Sequence, residues 1–179
     1  FSTTGSRNVY LGHRSGYFNS GSDNVVIGDL AGSNSQSYTN PEGTFSSNTF
    51  IGNSAGYSTS DGDQNVFIGR NAGYNNTTGN GNVFIGYQAG QTQTTASNSL
   101  IIANNSTTTP LIEGVFSPFT LANQELTVNG DLTVGYGTGG EDIVLNGNEN
   151  ATTDDLLEII FRENGSYKGA LGWNTVDDN

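Results

Sequence analysis

The residues that could do chemistry in this sequence are few. His13 is the single histidine. It stands inside "NVYLGHRSGY", where parallel stretches of the chain carry Asp29, Asn53, Arg70 and Tyr87 instead. A position that accepts such different side chains reads as a solvated turn rather than a catalytic base. A Ser–His couple would need an activated serine, and no G-x-S-x-G elbow is present. There is no cysteine, so neither thiolate catalysis nor a thiolate metal site is available.

Carboxylates are the other route to catalysis, since glycan cleavage uses two acids at a set separation. The candidate pairs Glu141/Asp142, Asp154/Asp155 and Asp177/Asp178 are adjacent in sequence and read as solvated turns. "GYGTGGED", from Gly135 to Asp142, imitates a phosphate loop. It lacks the lysine and the following helix, and its acids repel phosphate. "DGD" at Asp61–Asp63 offers oxygen ligands without the bidentate glutamate of an EF-hand loop. No catalytic residue, cofactor or metal ligand is therefore assigned.

Charge excludes further classes. Formal charge is −12 over 179 residues. Residues 1–112 hold five acids against Arg7, Arg14 and Arg70, whereas residues 113–179 hold twelve acids against Arg162 and Lys168. Such a balance repels nucleic acid and anionic membranes. No apolar run approaches the ~20 residues of a membrane helix. The chain opens on Phe1 without a methionine and reads as a fragment or processed product.

Leu, Ile, Val and Phe together number 40, and Asn alone numbers 24. So little apolar surface could leave a chain disordered. Internal repetition argues otherwise. "NVYLGHRSGY" from Asn8 recurs as "NVVIGDLAGS" from Asn24, "NTFIGNSAGY" from Asn48, "NVFIGRNAGY" from Asn65 and "NVFIGYQAGQ" from Asn82. A degenerate sixth copy, "NSLIIANNST", is aligned from Asn98. The asparagine spacings are 16, 24, 17, 17 and 16, the long one holding an insertion within "SNSQSYTNPEGTFSS".

The β-branched and aromatic triplet favours strand. Gly12, Gly28, Gly52, Gly69 and Gly86 end it, and linkers such as "NNTTGNG" are turn chemistry. A period of 16–17 residues fits one coil of a β-solenoid, a β-roll, with coils stacked about 4.8 Å apart. Asn8, Asn24, Asn48, Asn65, Asn82 and Asn98 are then expected to form a ladder of amides, and Ala31, Ala55, Ala72 and Ala89 a column of small residues.

Alternation sends Val83 and Ile85 to one face and Phe84 to the other. One row fills the coil interior against the alanines. The expectation is that the second row, Tyr10, Val26, Phe50, Phe67 and Phe84, is covered by another chain at an oligomer interface. The alternative is a monomeric three-faced helix with both rows in one core.

Copies of the "NVFIGYQAG" type resemble repeats of phage tail fibres and are similar to the head repeats of trimeric autotransporter adhesins. The likeness covers about residues 8–105. The period here is longer, and the middle strand residue is Phe or Tyr rather than Ala. "SNSLIIANNSTTTPLIEGVFSPFTLANQELTVNGDLTVG" resembles the fibre segment that leads towards a C-terminal intramolecular chaperone. The chain ends at Asn179 with no chaperone in view, as removal would leave it. The resemblance implies a homotrimer, extracellular, on a virion tail fibre or a cell surface, whose exposed loops meet a host glycan or protein.

Composition shifts near Pro110, which divides the chain into a solenoid at 1–109 and an acidic β domain at 110–179. "ELTVNGDLTV" predicts a hairpin about Asn129-Gly130, "DIVLN" a strand, and "DLLEIIFRENGSYKGALGW" a hairpin about Asn164-Gly165. Trp173 reads as core or interface. The expected fold is thus all-β, a solenoid followed by a small hairpin domain. The expected role is structural attachment, without enzymatic activity, and the insertion with Tyr38 and Phe45 is the candidate receptor loop. Two other classes remain open: a monomeric carbohydrate- or ice-binding solenoid, and a glycan-cleaving tailspike.

Overall fold

The computed structural model describes residues 5–33, 43–106, 108–116 and 125–130, and the backbone of 157–163 and 166–173. It is all-β among those residues. Strands β1 (Val9–Leu11), β2 (Val25–Ile27), β3 (Thr49–Ile51), β4 (Val66–Ile68), β5 (Val83–Ile85) and β6 (Ser99–Ile102) follow one another in order across one sheet. All five junctions between them are parallel. Sequential parallel neighbours that recur every 16–17 residues, or 24 across the insertion, make a β-solenoid of about five turns.

The chain then reverses. Strand β7 (Ile112–Val115) pairs antiparallel with β6, and β8 (Glu125–Val128) pairs antiparallel with β7. Both belong to the solenoid sheet, so the compact unit extends from Phe1 to Leu132 rather than ending near Pro110. The composition shift marks the change from parallel coils to antiparallel strands, not a domain boundary. A second unit, Thr133–Asn179, holds the antiparallel pair β9 (Leu157–Glu163) and β10 (Ser166–Trp173), joined across Asn164-Gly165 as the sequence predicts. The strand expected in "DIVLN" and the second arm of the Asn129-Gly130 hairpin lie outside the described residues. Within the first arm, β8 turns to β7 for its partner.

The interior row of the solenoid overturns one expectation. Val26, Phe50, Phe67 and Phe84 are fully buried within their own chain, with Tyr10 packed half-exposed at the top. The residues expected at an oligomer interface are therefore the core. Small residues on the return path make this possible. Ala31, Ala55, Ala72 and Ala89 are fully buried. At Gly56, Gly73 and Gly90, φ is about +60° and an added Cβ would fall within 3 Å of the phenyl ring of the same coil. The coil is thin, but removing every side chain opposite the ring leaves one ring's space. Phe50, Phe67 and Phe84 fill it as a continuous stack, with centroids 5.0 and 4.9 Å apart and planes within 8°.

The sixth coil corrects a second expectation. Leu100, Ile101 and Ile102 pair with Val83, Phe84 and Ile85. Ser99 therefore takes the ladder place given above to Asn98, and the last spacing is one residue longer. Ile101 has to enter the ring column, and a one-residue slip would send it outside. Asn98 instead adopts φ +56°, matching Arg7, Asp23, Ser47, Gln64 and Gly81 in the other coils.

Candidate interaction surface

Each coil is held to the next by two side-chain ladders. In the first, a backbone N–H donates to the amide oxygen of the preceding coil. Asn24 donates to Asn8, Asn48 to Asn24, Asn65 to Asn48, Asn82 to Asn65 and Ser99 to Asn82, at 2.8–3.0 Å. The same amides close their own coils. Nδ2 of Asn48, Asn65 and Asn82 donates across the interior to the carbonyls of Gly62, Gly79 and Ala96. Asn is suited to this place because it carries an acceptor and two donors on one short arm. The asparagines from Asn24 to Asn82 are buried with these bonds made.

The second ladder runs two residues earlier and was missed in the sequence. Here the side chain of the following coil accepts from a backbone N–H of the preceding one. Ser22 accepts from Ser6, Ser46 from Ser22, Asp63 from Ser46, Asn80 from Asp63 and Ser97 from Asn80. The signal was present: this position always carries a short oxygen-bearing side chain. Asp63 of the "DGD" turn is thereby engaged, and Asp61 accepts from the Thr44 hydroxyl at 2.9 Å. No group of three potential metal ligands occurs among the described residues.

Alternation places the β-branched row outside. Val9, Leu11 and Ile68 are 52%, 65% and 37% exposed, and the remaining members, from Val25/Ile27 to Leu100/Ile102, are half-buried. Six strands spaced about 4.8 Å apart make this aliphatic stripe roughly 24 Å long. Thr49 is the one polar member in the five full copies.

The turn after each strand displays a different chemistry. His13, Asp29, Asn53, Arg70 and Tyr87 are all exposed. His13 Nδ1 lies 3.0 Å from Asp29 Oδ1, and Asn53 Nδ2 donates to Asp29 Oδ2 at 3.3 Å. The histidine is thus one link of a surface column. Beyond the turn, Tyr57 and Tyr74 stack at 4.8 Å, and Arg14 and Arg70 lie over the rings of Tyr17 and Tyr87.

The proposed receptor loop divides. Tyr38 lies outside the described residues. Phe45 is fully buried and cannot meet a receptor. The acid pairs Glu141/Asp142, Asp154/Asp155 and Asp177/Asp178, and "GYGTGGED", also lie outside the described side chains. At the switch from parallel to antiparallel pairing, Gln93, Ser99, Glu113, Glu125 and Thr127 line an open cavity of about 250 Å³. Glu113 there accepts from Asn129 Nδ2, and Glu125 from the Thr127 hydroxyl.

No protein-family model matches the chain, and neither a curated protein nor a solved structure matches it.

Proposed function

We propose that this chain is a segment of a homotrimeric attachment fibre, on a virion tail or a cell surface, in which the solenoid is a stiff shaft or head. The residues that carry the reading are the outward aliphatic row, not the aromatic one. Val9/Leu11, Val25/Ile27, Val66/Ile68, Val83/Ile85 and Leu100/Ile102 form one straight apolar stripe on an otherwise polar coil. A contiguous exposed apolar surface of this kind marks an interaction site. Three stripes meeting about one axis would bury each other and leave the variable turns facing outwards. Those turns, His13 to Tyr87, and the insertion around Tyr38 would meet a host glycan or protein. The acidic residues 133–179 contribute a small β domain to the same assembly. This reading assigns the chain no catalysis and no cofactor.

Mass measurement in solution tests the proposal. A species of three chains at micromolar concentration is expected. A monomer that stays monomeric would overturn it and favour a single-chain carbohydrate-binding solenoid.

A further inference from the structure

The repeats "NSAGY" and "NAGY" place a tyrosine directly after the second glycine of coils three and four. Tyr57 and Tyr74 therefore occupy the same place, one coil apart. The backbone on either side of Tyr57 is tied to the next coil. Gly56 N–H donates to the Ala72 carbonyl at 2.9 Å, and Ser58 N–H to the Tyr74 carbonyl at 3.0 Å. Gly56 and Gly73, both at φ +60°, admit no side chain against the phenyl column, so the chain entering each tyrosine has one path. The rings follow the backbone. Their centroids are 4.8 Å apart, their planes differ by 7°, and both side chains are half-buried rather than sealed. Ser33 and Gln91 hold this place in coils two and five, so the stack does not pass on to a third tyrosine in either flanking coil.

Two phenols held this way form a redox feature as well as a packing one. Cys and Met, the side chains that oxidants usually reach first, are absent, and there is a single Trp against eight Tyr. Other described tyrosines have different ring neighbours. Tyr10 accepts a hydrogen bond from Asn19 at the end of the ring column. Tyr17 meets Phe18 at 4.2 Å. Tyr87 lies under the Arg70 guanidinium, whose charge opposes removal of an electron. Tyr57 and Tyr74 face each other.

We propose that Tyr57 and Tyr74 are an oxidative cross-linking site, which hydrogen peroxide acting through one-electron steps converts into a dityrosine staple between coils three and four. Each phenol gives up one electron and its O–H proton. The two phenoxyl radicals then join through one ring carbon each, ortho to the oxygen. The hydrogen on each joined carbon moves to its phenol oxygen as the rings regain aromaticity. The electrons and protons released reduce one peroxide to two waters. Fixed proximity replaces a diffusive encounter between the radicals. Bond formation tilts the rings out of their stack, which half-buried side chains permit. The link spans 17 residues of chain and restricts the unfolded state as a disulfide would, in a sequence without cysteine. It forms within one chain and is independent of trimerisation.

Treatment of the whole folded protein with a peroxidase and limiting hydrogen peroxide, followed by denaturation and trypsin, tests this. Trypsin cuts after Arg70, between the two tyrosines, and releases residues 15–70 and 71–162 as separate peptides. After oxidation the two are expected to stay joined, lighter by two hydrogens than their sum, with the undigested chain still running as a single chain on a denaturing gel. Tyr57→Phe and Tyr74→Phe, which keep the ring and remove the phenol, should each lower the yield of joined peptide by at least about tenfold. Tyr87→Phe should leave it unchanged. Peptides that separate after oxidation would overturn the proposal. So would full yield in either of the first two variants, since another pair would then be reacting. Cross-links found only between chains would overturn it as well.

Discussion

The ring of Phe45 lies 5.5 Å from that of Phe50, tilted by 48°, beside the one coil of the first five whose inward residue is valine. A Cβ added at Gly32 would touch Phe45, Phe50 and Val26 together. The insertion therefore lends the core a ring where Val26 provides none. Phe45→Ala should cost about 3–5 kcal/mol, as large-to-small core changes do. Val26→Phe alone should cost about 1–3 kcal/mol by overpacking. The double variant should be more stable than the sum predicts, because each change makes room for the other. Urea unfolding of the four proteins measures the coupling, and simple additivity would refute the exchange.

Asn65→Ala removes an acceptor from the Asn82 N–H and amide and a donor from the Gly79 carbonyl, all of them buried. Each group left unpaired costs about 1–3 kcal/mol. A loss of about 3 kcal/mol or more is expected. Asn65→Asp keeps the acceptor but buries a carboxylate, whose native pKa burial should raise. Its stability should then be highest at acid pH and decline as pH rises through that raised value. Chemical denaturation at several pH values distinguishes the two variants.

Gly69→Ala should be worse than either. Its φ is +132°, and the new Cβ would lie 2.3 Å from the Gly86 carbonyl oxygen. Backbone strain and collision coincide, so a loss beyond about 4 kcal/mol is expected. Arg70→Ala, in the neighbouring exposed turn, should change stability by less than about 0.5 kcal/mol. Thermal unfolding compares the pair.

The alkaline limb of stability should report Tyr10. Burial pushes its phenol above the ordinary tyrosine value, against an opposing hydrogen bond from Asn19. A raised native pKa means the native state holds the proton longer than the unfolded chain does. The associated stability is complete below the ordinary tyrosine pKa and is lost as pH rises through the raised value. Tyr10→Phe should flatten part of that decline. Tyr74, raised chiefly by burial and then by its neighbour Tyr57, should keep the rest.

Replacing Ile68 and Ile85 together by lysine places two charges on the aliphatic stripe and leaves the ring column intact. Sedimentation should then show single chains, with the β-sheet circular dichroism retained. An unchanged assembly would place the contact elsewhere.

Much of this architecture was legible because repetition multiplies a weak local signal. The period, the strands and the asparagine ladder follow from residues that recur in the five full copies. The direction of each face does not. In a triplet such as Val83-Phe84-Ile85 all three residues are apolar, so hydropathy cannot tell inside from outside. The deciding signal was volume: Ala89 and Gly90 leave space for one ring and nothing else. An insertion looks like a surface loop in sequence, and only Val26 hints at the vacancy that Phe45 fills. In the sixth copy Asn98 imitates a ladder asparagine one residue out of register, whereas Ile101 decides the alignment.

The paired glycines on either side of each displayed turn have an implication for how such a chain can diversify. Between Gly12 and Gly16, or Gly69 and Gly73, the main chain is fixed by sites that tolerate no side chain. The first residue after each leading glycine faces water and takes no part in the ring column or in the asparagine ladder. His, Asp, Asn, Arg and Tyr already occupy this one geometry. A row of such places is a keyboard with a rigid frame: the letters can be rewritten to suit a new target while the instrument that holds them stays in tune.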